Sequence, residues 1–178
     1  MTTRDLVEIA FVAALLCVCS WITIPFTIPF TMQTFAVFCA VLLLGGFNGT
    51  LAIILYLLLG IVGLPVFSGF QGGIGHVLGP TGGYMVGFLL TGLAFILMKP
   101  LIEKNRRYRY LALIIGLIAC YLFGSLWFAV VYTAKGQVMG FWKILTVCVL
   151  PYIVPDLLKM VLAVYVCDRV RRLIPRNG

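Results

Sequence analysis

Four runs of roughly twenty predominantly apolar residues, near 6–24, 83–102, 110–133 and 152–170, set the outer limits on what this chain can fold into. Each is long enough to cross a bilayer as a helix. The composition agrees: 63% of the 178 residues are hydrophobic and 10% are charged. Soluble domains carry about 25% charged residues. With a mean hydropathy of +1.16, the chain reads as an integral membrane protein. No stretch is left over for a soluble domain, so a single membrane-embedded domain over 1–178 is expected.

Two shorter apolar runs, Met32 to Leu44 and Leu51 to Val62, flank the glycine-rich sequence GGFNG, which reads as a turn. Each covers only about 20 Å as a helix. They cross the membrane only by recruiting their flanks; otherwise they form a re-entrant hairpin. The expected fold is an all-α compact bundle of six transmembrane helices, with four helices plus a hairpin as the alternative. Ten of the thirteen cations fall before the first run, in the link after the fourth helix, or after the last run. Arg4, Lys99, Arg106, Arg109, Arg171 and Arg176 are among them. The positive-inside rule makes that side the cytoplasm and puts both termini there, in the plasma membrane. Tyr108 and Tyr110 then mark the inner end of the fifth helix, and Trp127 and Tyr132 its outer half.

The net charge of +8 reports orientation and not a nucleic-acid partner, because no nucleic-acid motif accompanies it. The first apolar run is longer than a signal-peptide core and leads directly into more membrane sequence, so it is not expected to be cleaved. The six cysteines all lie in apolar segments without metal-ligand spacing and read as small hydrophobes. One histidine, His76, makes a metal site improbable; it reads equally well as a satisfied loop residue or a ligand contact. No catalytic constellation and no nucleotide loop is present, so neither an enzyme nor an ATPase is expected.

The loops assigned to the outside, at Pro25 to Thr31, Leu64 to Pro80 and Ala134 to about Pro151, are almost uncharged and rich in Gly, Pro and aromatic residues. Such loops suit lids packed over a cavity. Beside them lies the most costly feature of the sequence, YIVPDLLKMVLAVY. With Pro155 in the first turn of the last helix, Asp156 and Lys159 share one helical face. A charged side chain at a helix centre costs about 2.5–3.5 kcal/mol on insertion scales. The plainer reading makes Asp156 a helix cap and lets Lys159 snorkel to the surface. The alternative is a buried pair offering an acceptor and a donor to a polar solute.

In GGIGHVLGPTGGYMVGF, Pro80 and Thr81 read as breaker and cap of the fourth helix, and Gly83 and Gly87 share a face suited to close helix packing. The start of that helix is also a site where a carboxylate can bind. Gln33, Ser68, Gln71 and Tyr84 are candidates for neutral polar contacts with a substrate, and Phe67 and Tyr84 for apolar ones. Ala10 and Ala14 on the first helix have a spacing that admits another helix closely.

Together, TMQTFAVF, LYLLLGIVGLPVFSG, GPTGGYMVGF and VPDLLK cover about a third of the chain. In this combination the sequence resembles the BioY family, the biotin-specific substrate-capture subunits of energy-coupling factor transporters. The resemblance implies six membrane helices, capture of biotin from outside, and no hydrolysis of ATP by this chain. It implies a transmembrane coupling protein and two cytoplasmic ATPase subunits as partners, with biotin as transported substrate and no cofactor. The family's PxDxxK motif maps vitamin contacts onto Asp156 and Lys159, and its alanine docking motif onto Ala10 and Ala14. Phe70 departs from the small residue expected in that lid. Either the ureido ring or the carboxylate of biotin suits the Asp156–Lys159 pair. Two other readings are weighed: a capture subunit of the same architecture for thiamine or riboflavin, and a small membrane enzyme acting on lipid.

Overall fold

The protein is described by a computed structural model over residues 1–25, 28–136 and 140–173. Phe26 and Thr27 of the first outer loop, Gln137, Val138 and Met139 of the third, and Arg176 lie outside the described residues. The architecture is helical. Helix α1 spans Thr3–Trp21, α2 Gln33–Ile61, α3 Ile74–Val77, α4 Gly82–Leu97, α5 Lys99–Lys104, α6 Tyr108–Ala134, α7 Phe141–Cys148 and α8 Leu150–Leu173. Three of these, α2, α6 and α8, are long and apolar enough to cross a membrane; α4 is apolar but shorter.

Although α2 runs for 29 residues, it is not one straight rod. Gly45 breaks it with a φ of 83°, a backbone conformation that glycine adopts without a Cβ penalty. Gln33 Nε2 donates to the hydroxyl of Tyr56 at 2.5 Å. Along an unbroken helix these residues would stand roughly 35 Å apart. The element is therefore two helices folded back against each other. Gly49 faces the first half closely, since a Cβ there would fall 2.7 Å from the Ala40 carbonyl oxygen. The expected turn across GGFNG thus narrows to Gly45, and helix resumes at once. Arg171 Nη2, from the far end of α8, donates to the carbonyl of Leu42, which the break deprives of its own helical donor.

Helices α4 and α6 pack through small residues. Gly83 lies directly on Trp127 and Gly87 on Cys120; a Cβ at Gly83 would fall 2.2 Å from that of Trp127. In lipid, where no water drives helices together, such close approach supplies the packing energy. Thr81 stands at the start of α4 without a side-chain capping bond, so the expected cap is not made. The expected run from 83 to 102 is divided at Met98, where α4 gives way to α5.

The outer loops hold more regular structure than the sequence suggests. A two-stranded ribbon pairs β1 (Thr23–Ile24) with β2 (Phe30–Thr31). The second loop contains a 3₁₀ turn at Ser68–Phe70 and α3. The third contains α7, with only Val149 between it and α8. Pro155 consequently falls inside α8 and not in its first turn. That overturns the reading of Asp156 as a terminal cap. All six cysteines are buried and free.

At the opposite end of α8, Arg109 grips Asp168 through two 2.6 Å bonds, joining the start of α6 to the end of α8. Helix α1 begins with a capping box in which Thr2 and Asp5 satisfy each other's backbone donors.

Candidate substrate pocket

Helix α8 carries Asp156 and Lys159 on one face, pointing inward, and their side chains are 5% and 7% exposed. Two charges removed from solvent this fully require close partners. Each is the other's first partner, Nζ to Oδ1 at 2.8 Å. The Thr34 hydroxyl, at the start of α2, donates to the same Oδ1 at 2.8 Å. The Tyr121 hydroxyl reaches across from α6 to Oδ2 at 2.6 Å. Lys159 also donates to the Thr31 carbonyl at 2.7 Å and to Thr34 Oγ1 at 3.2 Å. All three ammonium N–H groups therefore have acceptors, and the carboxylate accepts three bonds of about four it can take. The Phe30 ring lies under the ammonium, its centroid 3.9 Å from Nζ, a geometry that attracts a cation.

The pair borders a pocket whose space is about 610 Å³ including its mouth. Apolar walls come from Ile28, Met85 and Phe88, and polar atoms from Gln33, Ser68 and Tyr152. Tyr84 lines it from α4, with its hydroxyl 3.2 Å from Ser125 Oγ. Gln33 is committed on both sides, accepting from Thr31 Oγ1 at 2.8 Å and donating to Tyr56. Ile28, Pro29 and Thr31 line the pocket from the first outer loop, which is tied to α8 where the Tyr152 hydroxyl donates to the Ile28 carbonyl and its ring stacks on Phe30 at 6.4 Å.

His76 lines the pocket from α3 and stacks on Phe67 at 5.3 Å. Burial pushes its imidazole below the usual histidine range, which favours the neutral ring at pH 7. Trp21 and Ser20 fasten the second loop to α1, donating to the carbonyls of Pro65 and Val66 respectively.

The structure thus brings Asp156, Lys159, Tyr84, Gln33 and Ser68 to one pocket. It separates two other candidates from it. Phe67 is fully buried, wedged against Gly60 and edge-on to Tyr56, and supports the loop from beneath. Gln71 is exposed and pairs its backbone with Phe67. Thr34 and Tyr121 escape the sequence reading, although a tyrosine in the middle of an apolar run is itself a polar group in need of a partner. Ala10 and Ala14 lie on the outward face of α1, away from the pocket. Among the described residues no group of His, Cys, Asp and Glu has the makings of a metal site.

A model of the BioY family matches residues 1–176 of the chain. A probable biotin transporter BioY of Pyrococcus horikoshii is 38% identical over 173 residues, covering 96% of this chain and 98% of that one. The biotin transporter BioY of Thermotoga maritima is also 38% identical over 173 residues, covering 96% and 97%. Among solved structures, the S-component for biotin from an ECF-type ABC transporter superposes with a TM-score of 0.83 at 28% identity, covering 97% of this chain and 95% of that one.

Proposed function

The chain belongs to the BioY family, and from that premise we propose that it captures biotin at the outer face of the plasma membrane as the S component of an energy-coupling factor transporter. Its relatives are named as transporters and not as enzymes. The observation that carries the reading is the enclosed Asp156–Lys159 pair, in a pocket otherwise lined by neutral polar and apolar groups.

The pair as a unit has no net charge. A ligand carboxylate placed there would set two anions against one ammonium, whereas a cyclic urea brings N–H donors and a carbonyl acceptor without charge. The ureido ring of biotin therefore meets the pair. An N–H takes the remaining lone pair of Asp156, and Lys159 turns one N–H from Thr34, its longest bond at 3.2 Å, to the ureido oxygen. Met85, Phe88 and Tyr84 flank the thiophane ring and the valeryl chain, and the biotin carboxylate points to the mouth.

We count six crossings: α1, the two halves of α2, α4, α6 and α8. Both termini face the cytoplasm by the placement of cations. A transmembrane coupling protein and two ATPase subunits supply the work, and the outward face of α1 around Ala10 and Ala14 is the docking surface. No cofactor takes part. Isothermal calorimetry of the purified chain with biotin, thiamine and riboflavin tests the reading. Binding of biotin alone supports it; selective binding of either of the others overturns it.

A further inference from the structure

A second cavity lies at the other end of the helices, and nothing in biotin capture uses it. It is the larger of the two, about 1280 Å³ including its mouth against 610 Å³ for the substrate pocket. Three guanidinium groups from distant parts of the chain converge on it: Arg4 of α1, Arg106 of the link before α6, and Arg171 of α8. Its floor is apolar, with Phe11, Leu43 and Leu44 prominent.

The charges do not cancel. Glu8 pairs with Arg4 at 2.8 Å. Asp168 stands nearby but is held by both terminal nitrogens of Arg109 at 2.6 Å. Among the described residues Arg171 uses only Nη2, on the Leu42 carbonyl, which leaves most of its five donors open to a ligand there. The Arg106 guanidinium makes no hydrogen bond or ion pair with a protein group among the described residues, so the rim retains positive charge over an oily base.

From this geometry we infer that the groove holds an anionic phospholipid, its phosphate against Arg106 and Arg171 and its acyl chains on the apolar floor. Basic pockets between helices at the cytoplasmic boundary suit such headgroups. A small soluble anion would engage the rim and leave the floor uncovered. Phe11, part of that floor, is 71% exposed at the edge of α1, so acyl chains have a path out of the groove into the bilayer before a partner docks there.

The test uses the full chain in a neutral detergent, titrated with short-chain phosphatidylglycerol, phosphatidylcholine or inorganic phosphate, with thermal stability and native mass spectrometry as readouts. Phosphatidylglycerol alone is expected to raise the melting temperature and persist as an adduct. Arg106→Gln is expected to weaken its binding about fivefold, the equivalent of ~1 kcal/mol for one cation near a charged surface. Biotin affinity should stay unchanged, because Arg106 touches no part of the substrate pocket. Arg4→Gln, which removes a second cation from the rim, should weaken phosphatidylglycerol binding too. The inference is overturned if phosphatidylcholine binds equally well, if inorganic phosphate reproduces the stabilisation, or if Arg106→Gln binds like the parent. A segment of the coupling protein seated between Arg106 and Leu43 in the assembled transporter, in place of lipid, overturns it as well.

Discussion

The hydroxyl of Tyr121 donates to Asp156 Oδ2 at 2.6 Å, and this one bond ties the middle of α6 to the substrate end of α8. A hydrogen bond to a charged group contributes about 1.5–3 kcal/mol. Tyr121→Phe keeps the ring and its packing but lets the carboxylate drift. Biotin affinity measured by calorimetry should fall about tenfold or more, while the melting temperature of the empty protein falls by only a few degrees. Unaltered affinity would show that Asp156 needs no orientation from α6.

The ion pair predicts an asymmetry between single and double replacement. Asp156→Ala or Lys159→Ala leaves one charge buried without its partner, a loss of about 3–5 kcal/mol in comparable interiors. Both variants should denature early and bind no biotin. Replacing the two together, as Asp156→Leu with Lys159→Met, restores an apolar contact and should recover most of the melting temperature without recovering binding. A double variant that still binds biotin would remove the pair from the site.

Gly45 carries the reversal of α2, and its φ of 83° admits a side chain only with strain. No atom stands within 4 Å of a Cβ built there, so the effect of Gly45→Ala is purely conformational. Its cost should be ~1–3 kcal/mol, because a positive φ with a ψ of 174° is a region that only glycine enters readily. Chemical denaturation in detergent should show that loss, with biotin affinity retained in the folded fraction.

His76 supplies a pH dependence. Burial holds its imidazole below the usual range. As the pH falls, the unfolded loop takes up a proton first, near pH ~6.5. The contribution of a neutral, stacked ring is therefore complete above that value and is lost as the pH drops through the lower folded value. Protection of the loop around residues 66–78, taken as the exchange rate relative to the intrinsic rate of an open chain at the same pH, should fall between pH 7 and pH 5. In His76→Gln that fall should be much smaller.

On the proposed reading, the outward face of α1 serves assembly and leaves capture to the pocket. Ala10 and Ala14 are exposed, with Leu6 and Phe11 beside them. Ala10→Trp or Ala14→Trp should leave calorimetric biotin affinity within about twofold, since nothing in the pocket touches them, and should prevent co-purification with the coupling protein if close helix packing is what joins the two. Intact co-purification would move the docking surface elsewhere.

Much of this was legible from residue types alone, for reasons that differ by element. Asp156 and Lys159 stand out because a charge in an apolar run has few physical justifications. The sorting of cations likewise anticipates that Arg4, Arg106 and Arg171 meet at one end, as they do around the second cavity. What the sequence hides is direction. Phe67 and Ser68 are neighbours in one loop, yet the first is driven into Gly60 while the second reaches the pocket. Tyr121 looks like any aromatic residue of a membrane helix until α6 is set against α8. Pro155 reads as a helix start because proline is most at home there, but α8 accommodates it in its second turn. The pentapeptide GGFNG reads as a loop because glycine favours turns, whereas only Gly45 leaves the helical region.

An empty protein whose ammonium is already saturated greets every arriving molecule with an exchange. Thr31, Thr34 and Asp156 satisfy Lys159 between them, so a visitor must displace one of these contacts before it can bond to the ammonium. A solute that returns an equivalent acceptor, in the same place and without extra charge, leaves the balance level and keeps the apolar contacts as its gain. One that cannot do so loses a bond and receives nothing in return. On the proposed reading, discrimination of this kind is built into the bonds Lys159 makes within the protein.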